Sequence, residues 1–301
     1  MKDMYAIAGI SKQALWKDNK RQEEWDRIIS ATVDKIKEVR KHHKRMSCRK
    51  IYYTVEVPLS IGRDRFEQIC FANGFKIKLR RNKMKTTWSQ RVEVYPNLIE
   101  GLLLNGLNQV WQSDIFYLKV EGIDYYGVSI EDVYSRKLLA LHLSKSLRAE
   151  ENVKTLKKAF KTRRGDDLTG CIFHSDRGSQ YISEVHKQLL WDEGMEISMC
   201  KMPQENAYVE RVQGTLKYEY LFEHKLTVAN LHKMTQKIRN WYNDERPHRH
   251  LNMMTPTIFE EHMNNLAEKD RPEMKIFKGY SELLTKNEVI DKKKKEAKKK
   301  N

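Results

Sequence analysis

The chain reads as an α/β protein: a mixed five-stranded sheet flanked by helices, preceded by all-helical segments. Two observations predict this. Three strand-like runs, 109–120, 125–133 and 137–144, are separated only by turn residues, the pattern of an antiparallel meander. Helix and strand patterns then alternate to about residue 242, which adds parallel strands to the sheet and covers both its faces.

The elements follow in order. In segment 1–45, Ser11 is a helix N-cap for Lys12-Gln13-Ala14-Leu15-Trp16, and a small helix-turn-helix is expected there. A longer helix places Trp25, Ile28, Ile29, Val33, Ile36 and Val39 at three- and four-residue spacing. Segment 46–95 gives a second helical unit. Ile51, Tyr52 and Val55 form one stripe, Pro58 and Gly62 break the chain, and Phe66, Ile69 and Cys70 form a second stripe ended by Gly74. Arg63 and Arg65 open that second helix, and Lys76, Lys78, Arg80, Arg81, Lys83 and Lys85 follow it. Helix, turn, helix and basic arm is an arrangement that reads DNA, the helix in the major groove and the arm along phosphates. The plainer alternative is a three-helix spacer with a solvated linker.

After a connector at 86–108, the core domain is expected over 105–265. Glu121-Gly122 and Tyr134-Ser135-Arg136 supply the turns of the meander. A helix over 149–164, a buried strand at 171–173, a helix capped by Ser183, a strand at 197–199, a helix from Asn206 to about Phe222 and another over 226–242 complete it. The order strand-strand-strand-helix-strand-helix-strand-helix-helix is the ribonuclease-H-like layout. Residues 266–301 form an extension whose Lys-rich end is expected to be disordered.

Charge is unevenly spread. Residues 1–100 hold 23 Lys and Arg against 12 Asp and Glu, residues 101–291 hold 27 against 28, and the last ten hold seven Lys against Glu296. Basic flanks around a near-neutral centre suit a polyanionic partner. Cys48, Cys70, Cys171 and Cys200 have no C-x-x-C spacing, so reduced, buried thiols in a cytosolic protein are expected rather than zinc or disulfides. Nothing resembles a signal peptide or a membrane span.

Three acids stand out. Asp114 lies on the first strand and Asp176 just past the fourth, which pairs beside the first in parallel, so the two become neighbours. Glu210 is one turn into the helix that starts at Asn206, with Gly214 and Lys217 at i+4 and i+7 on its face. Crowded carboxylates repel, and hard divalent cations such as Mg²⁺ prefer carboxylate oxygens. Two such ions can serve in-line phosphoryl displacement. By itself, the Glu210–Lys217 spacing is also that of an ordinary solvated helix face. Glu205 is the nearest competitor to Glu210. Glu131 and Asp132 read as strand-end acids, His174 as a proton shuttle, an orienter of Asp176 or a strand-end structural residue. His248 and His250 read as turn residues packed on the core, and Trp241 and Tyr242 as core aromatics.

The strings His174-Ser175-Asp176-Arg177-Gly178-Ser179-Gln180-Tyr181, Trp111-Gln112-Ser113-Asp114 and Asp132-Val133-Tyr134-Ser135-Arg136-Lys137 carry a family resemblance. So do Asn206-Ala207 with Glu210, Tyr242-Asn243, Arg246-Pro247-His248 and Thr255-Pro256. Together they resemble the OrfB transposases of the insertion-sequence-three family, with a retroviral-integrase-like DDE core. The resemblance covers about 110–260 closely and 1–85 loosely. It implies that Asp114, Asp176 and Glu210 bind metal and are catalytic, with two Mg²⁺ (or Mn²⁺) ions as cofactor. It implies Lys217 as a DNA contact. We expect Arg211, Arg177, Arg63, Arg65, Lys76, Lys78, Arg80 and Arg81 to contact DNA as well. The implied partners are double-stranded DNA of the element ends and target, an OrfA protein and further copies of the chain. A bacterial cytoplasmic, nucleoid-associated location follows. The rival from another class is a DNA-binding regulator, or a domesticated relative, that has lost the chemistry.

Overall fold

The computed structural model describes residues 11–58, 61–77, 95–200 and 203–276. The chain divides into two units, Met1–Arg81 and Asn82–Asn301. The expected basic-arm residues Lys78, Arg80 and Arg81 and the Lys-rich end lie outside the described residues.

The first unit holds α1 (Lys12–His42), α2 (Cys48–Tyr52) and α3 (Arg63–Ala72). Ser11 caps α1 as the sequence indicates, its Oγ accepting from the Ala14 N–H at 3.1 Å. The first helix of the helix-turn-helix expected within 1–45 lies outside the described residues, and from Lys12 the chain runs as one helix instead of a short helix followed by a longer one. No Gly or Pro interrupts residues 12–42, so nothing stops the helix before His42. Ile36, Met46, Ile51, Ile61, Phe66 and Ile69 form one core shared by the three helices. Arg40 fastens it by donating to the carbonyls of Lys44 (2.6 Å) and Phe75 (3.1 Å).

The second unit is built on β1 (Val110–Val120), β2 (Ile123–Asp132), β3 (Leu138–Ser144), β4 (Ile172–Ser175) and β5 (Glu196–Met199). The sheet order is β3-β2-β1-β4-β5, with the first three strands antiparallel and β4 and β5 parallel to β1. This is the ribonuclease-H-like arrangement the element order predicts. The β1–β2 turn uses Glu121 (φ 49°) and Gly122 (φ 80°), both left-handed as a two-residue type I′ turn requires. Pairing runs to Val120, as the sequence pattern marks, and on the second strand begins at Ile123, two residues earlier than marked.

Helices cover both faces. On one, α4 (Ala149–Thr162) and α5 (Glu184–Asp192) bring Leu156, Ala159 and Leu190 against Trp111, Ile130, Leu139 and Phe173. On the other, α6 (Ala207–Thr215) and α7 (Leu231–Asn240) bring Val212 and Ile238 against Phe116, Leu118 and Leu141. Two helices differ from expectation. The one from Asn206 turns π-helical over Leu216–Leu221, closed by the Phe222 N–H on the Lys217 carbonyl five residues back. The one expected from 226 starts at Leu231, because Asn230 takes the Thr227 N–H and donates to the Lys225 carbonyl, folding that stretch into a turn. It continues as a second π segment, Trp241–Glu245.

The Tyr134–Arg136 turn is locked from beneath. Asp132 accepts from the Ser135 N–H (2.9 Å) and the Asn108 N–H (2.7 Å) and faces Arg163. Arg163 and Lys137 in turn hold Glu260 on α8 (Pro256–Asn264). Asp132 is thus a strand-end structural acid. All four cysteines are buried and unbridged. Among the described residues, no helix is long and apolar enough to cross a membrane.

Candidate active site

Asp114 and Asp176 are neighbours because of register. The parallel ladder of β1 and β4 ends at the pair Ser113–Ser175; Asp114 is the next residue on β1 and Asp176 the first past the end of β4. Asp114 shares a sheet face with Phe116, the face covered by α6 and α7. Asp176 folds back on itself, Oδ1 accepting from the Gly178 N–H at 3.1 Å. A Cβ on Gly178 would stand 2.7 Å from Gln180 Oε1 and 3.0 Å from Asp176 Oδ1, so a larger residue there would displace the Gln180 side chain. Beneath it, Ser113 Oγ and the buried Tyr181 hydroxyl lie 3.0 Å apart, joining β1 to the Asp176 loop.

The electrostatics tie the group together. Burial pushes Asp114 up to about 7, the negative charges of Asp176 and Glu210 add to it, and the Ile115 N–H and Lys217 pull against it. Desolvation also raises Asp176, which is partly buried, from its ordinary value, and raises Glu210 although its side chain is exposed on α6. Lys217 is lowered by burial and held up by Asp114, and its Nζ lies 5.1 Å from the centre of the Phe116 ring on β1. The four residues singled out in the sequence therefore form one electrostatic cluster. Among the described residues, no three Asp, Glu, His or Cys side chains are gathered into a ready-made metal cage. The donor set nonetheless fits a hard divalent cation: the charges of Asp176 and Glu210 disfavour that of Asp114, and a cation would relieve that.

The competitors occupy other roles. Glu205 turns its Oε2 to the Asn97 amide at 2.9 Å. His174 is buried and pushed down to about 4 by desolvation, so it is neutral. Ser198 Oγ accepts from the Leu98 N–H and shares a 2.8 Å hydrogen bond with His174 Nδ1, so the ring serves the β4–β5 junction. His248 is buried edge-on to Tyr242, whereas His250 lies on the surface and does not pack on the core. Tyr242 is core, and Trp241 packs partly buried against it.

The expected DNA contacts divide between the units. Arg177 is exposed, with Nε on the Cys200 carbonyl at 3.1 Å, and Arg211 is exposed one residue beyond Glu210. In the first unit, Arg63 pairs with Asp64, Arg65 lies over Trp25 and Lys76 over Phe71, all three exposed. Sequence reasoning assigned the cap of α6 to Asn206. That side chain makes no cap bond, and its Nδ2 donates instead to the Ser113 carbonyl on β1 at 3.2 Å.

Comparison with known proteins agrees with this architecture. The family described as Integrase core domain matches residues 105–203, and a second family of the same description matches 194–256. An uncharacterized 31 kDa protein of insertion element IS600 from Shigella sonnei is 29% identical over 69% of this chain and 78% of its own length. The transposase for insertion sequence element IS904 from Lactococcus lactis is 30% identical over 64% of this chain and 76% of its own. A structure of the HTLV-2 integrase catalytic core domain in complex with magnesium superimposes with a TM-score of 0.41 and 18% identity, over 51% of this chain and 97% of that one. The family match and the two insertion-sequence relatives define an insertion-sequence transposase with an integrase core. The chain belongs to that family, fits its insertion-sequence-three group, and functions in transposition, a form of DNA integration.

Proposed function

We propose that Asp114, Asp176 and Glu210 are the catalytic, metal-holding acids of this transposase, acting with Mg²⁺ or Mn²⁺, two ions per site. The observation that carries this is the β1–β4 register, in which Asp114 and Asp176 each follow the last paired residue. Bound cations would supply Lewis acidity to both the attacking and the leaving oxygen of a phosphodiester. The chain's own residues do the rest. The Gly178 amide fixes the direction of Asp176, and Lys217, in the π-helical turn, stands within electrostatic reach of Asp114 and would meet a phosphate of the strand being cut. Water attacks first and frees a 3′-hydroxyl at the element end. That hydroxyl then attacks a target phosphodiester, without a covalent bond between protein and DNA.

The first unit, with Arg63, Arg65 and Lys76 exposed, is proposed as an additional DNA grip. An OrfA partner and multimerisation on paired ends belong to the same reading. The test uses the full chain, supplied with OrfA, labelled terminal-repeat DNA and Mg²⁺. Wild type should nick and join, and Asp176→Asn should do neither. Nicking without joining would make the protein a nuclease. DNA binding alone, unchanged by the substitution, would make it a regulator and overturn the proposal.

A further inference from the structure

Glu210 sits on a helix, not on the sheet that carries the other two acids, so something must fix the helix against the strand. Two side chains cross that joint, making three hydrogen bonds in all. Gln112 is fully buried two residues before Asp114, on the same face of β1. Its Oε1 accepts from the Val209 N–H at 3.2 Å, and its Nε2 reaches the Glu205 carbonyl at 3.4 Å. Val209 immediately precedes Glu210, and its N–H is one of the first-turn donors that have no partner inside α6. Asn206 adds the second tie, to the Ser113 carbonyl.

Gln112 is also the centre of a buried rung. Glu131 on β2, Gln112 on β1, His174 on β4 and Ser198 on β5 are successive register partners, all with no exposed surface. The Gln112 carboxamide is the member of this rung that reaches up to the backbone of α6 and the turn before it.

We propose that Gln112 is a positioning residue for Glu210: it occupies a first-turn donor of α6 and so sets the height and rotation of Glu210 relative to Asp114 on its own strand. This rests on the reading of the three acids as metal-holding. Partners that orient metal ligands in this way change affinity or activity by about 10- to 100-fold when removed. The substitution Gln112→Met keeps length and apolar bulk and removes both bonds.

The experiment uses the full chain without DNA. Mn²⁺ binding is followed by electron paramagnetic resonance, exchange of the Val209 amide by hydrogen–deuterium exchange, and folding by thermal unfolding. For a folded Gln112→Met, Mn²⁺ affinity should fall by about 10- to 100-fold and the Val209 amide should exchange faster. Affinity within about twofold of wild type, a difference of only about 0.4 kcal/mol, overturns the proposal. If Gln112→Met does not fold, Asn206→Ala tests the same joint from the helix side, with weakened Mn²⁺ binding expected and unchanged binding overturning it. Asp114→Asn separates the two readings. Its failure to weaken Mn²⁺ binding would overturn the acid assignment itself, and with it this proposal. Weakened binding in Asp114→Asn beside unchanged binding in Gln112→Met would overturn the positioning role alone.

Discussion

Arg246 grips Glu219 through two hydrogen bonds, Nε to Oε2 and Nη2 to Oε1, each 2.8 Å. Glu219 lies in the π-helical turn two residues beyond Lys217, and Arg246 follows the π segment that extends α7. The pair therefore fastens the turn that carries Lys217 to the last third of the domain. Burial opposes the Arg246 charge, and Glu219 outweighs it, so the guanidinium stays cationic.

Removing the carboxylate should cost more than removing the guanidinium. Glu219→Leu strands a buried cation, a loss of about 3–5 kcal/mol. Arg246→Met leaves a carboxylate with access to water and should cost less, since Glu219 is 21% exposed and Arg246 only 6%. Urea unfolding of the two variants checks the order, and equal losses would contradict it.

The raised carboxyl of Asp114 gives a pH signature. Its folded value of about 7 lies above the ordinary 3.8, so the folded chain binds the proton more tightly between those values. The stability it contributes is full below about 3.8 and is lost as pH rises through about 7. With chelator present, Asp114→Asn should be increasingly stabilised relative to wild type between about pH 5 and about pH 8. Divalent cation should reverse this by favouring the charged form. Unfolding curves that stay parallel across that range would refute the assignment.

Lys217 carries a charge to the site. Lys217→Met should lower the slope of log affinity for DNA against log salt by about one phosphate contact. It should also push Asp114 further up, because Lys217 is one of the groups holding it down. Fluorescence anisotropy across a salt series and the pH dependence of cleavage read the two effects separately.

Gly127 on β2 faces Phe116 on β1, and a Cβ there would fall inside the van der Waals envelope of the ring. Gly127→Ala should cost about 1–3 kcal/mol through overpacking. Because Lys217 lies over the same ring, cleavage should fall along with stability. A variant as stable as wild type would show that Phe116 can move aside freely.

Much of this was legible in the sequence because it rests on periodicity. Alternation along β1 puts Gln112, Asp114 and Phe116 on one face, and the strand order makes Asp176 the neighbour of Asp114. Ser11 was readable as a cap because its bond is local. What escaped depends on partners far along the chain. Whether Gln112 or Asn206 satisfies the first turn of α6 is decided by a strand some 97 residues away. The switch from α to π geometry at Leu216 has no periodic mark, and Arg246 finds Glu219 only when two helices pack on the same face. The uninterrupted α1 was missed for the opposite reason. The Ser11 cap marks where that helix starts, but only the lack of a Gly or Pro as far as His42 settles where it ends.

The acid cluster is stitched from widely separated parts: Asp114 reaches Asp176 across the β1–β4 ladder, and Glu210 through the Gln112–Val209 bond. Chains fold domain by domain as they leave the ribosome, amino-terminal part first. The first unit has its own core and needs nothing downstream to form it. The β1–β2–β3 meander can follow as soon as it is synthesised, because its pairings are local. Asp114, however, meets neither of its companions until β4 and then α6 have emerged. A half-made copy therefore has no assembled acid cluster, and on the reading proposed for these acids competence for strand chemistry arrives late in synthesis.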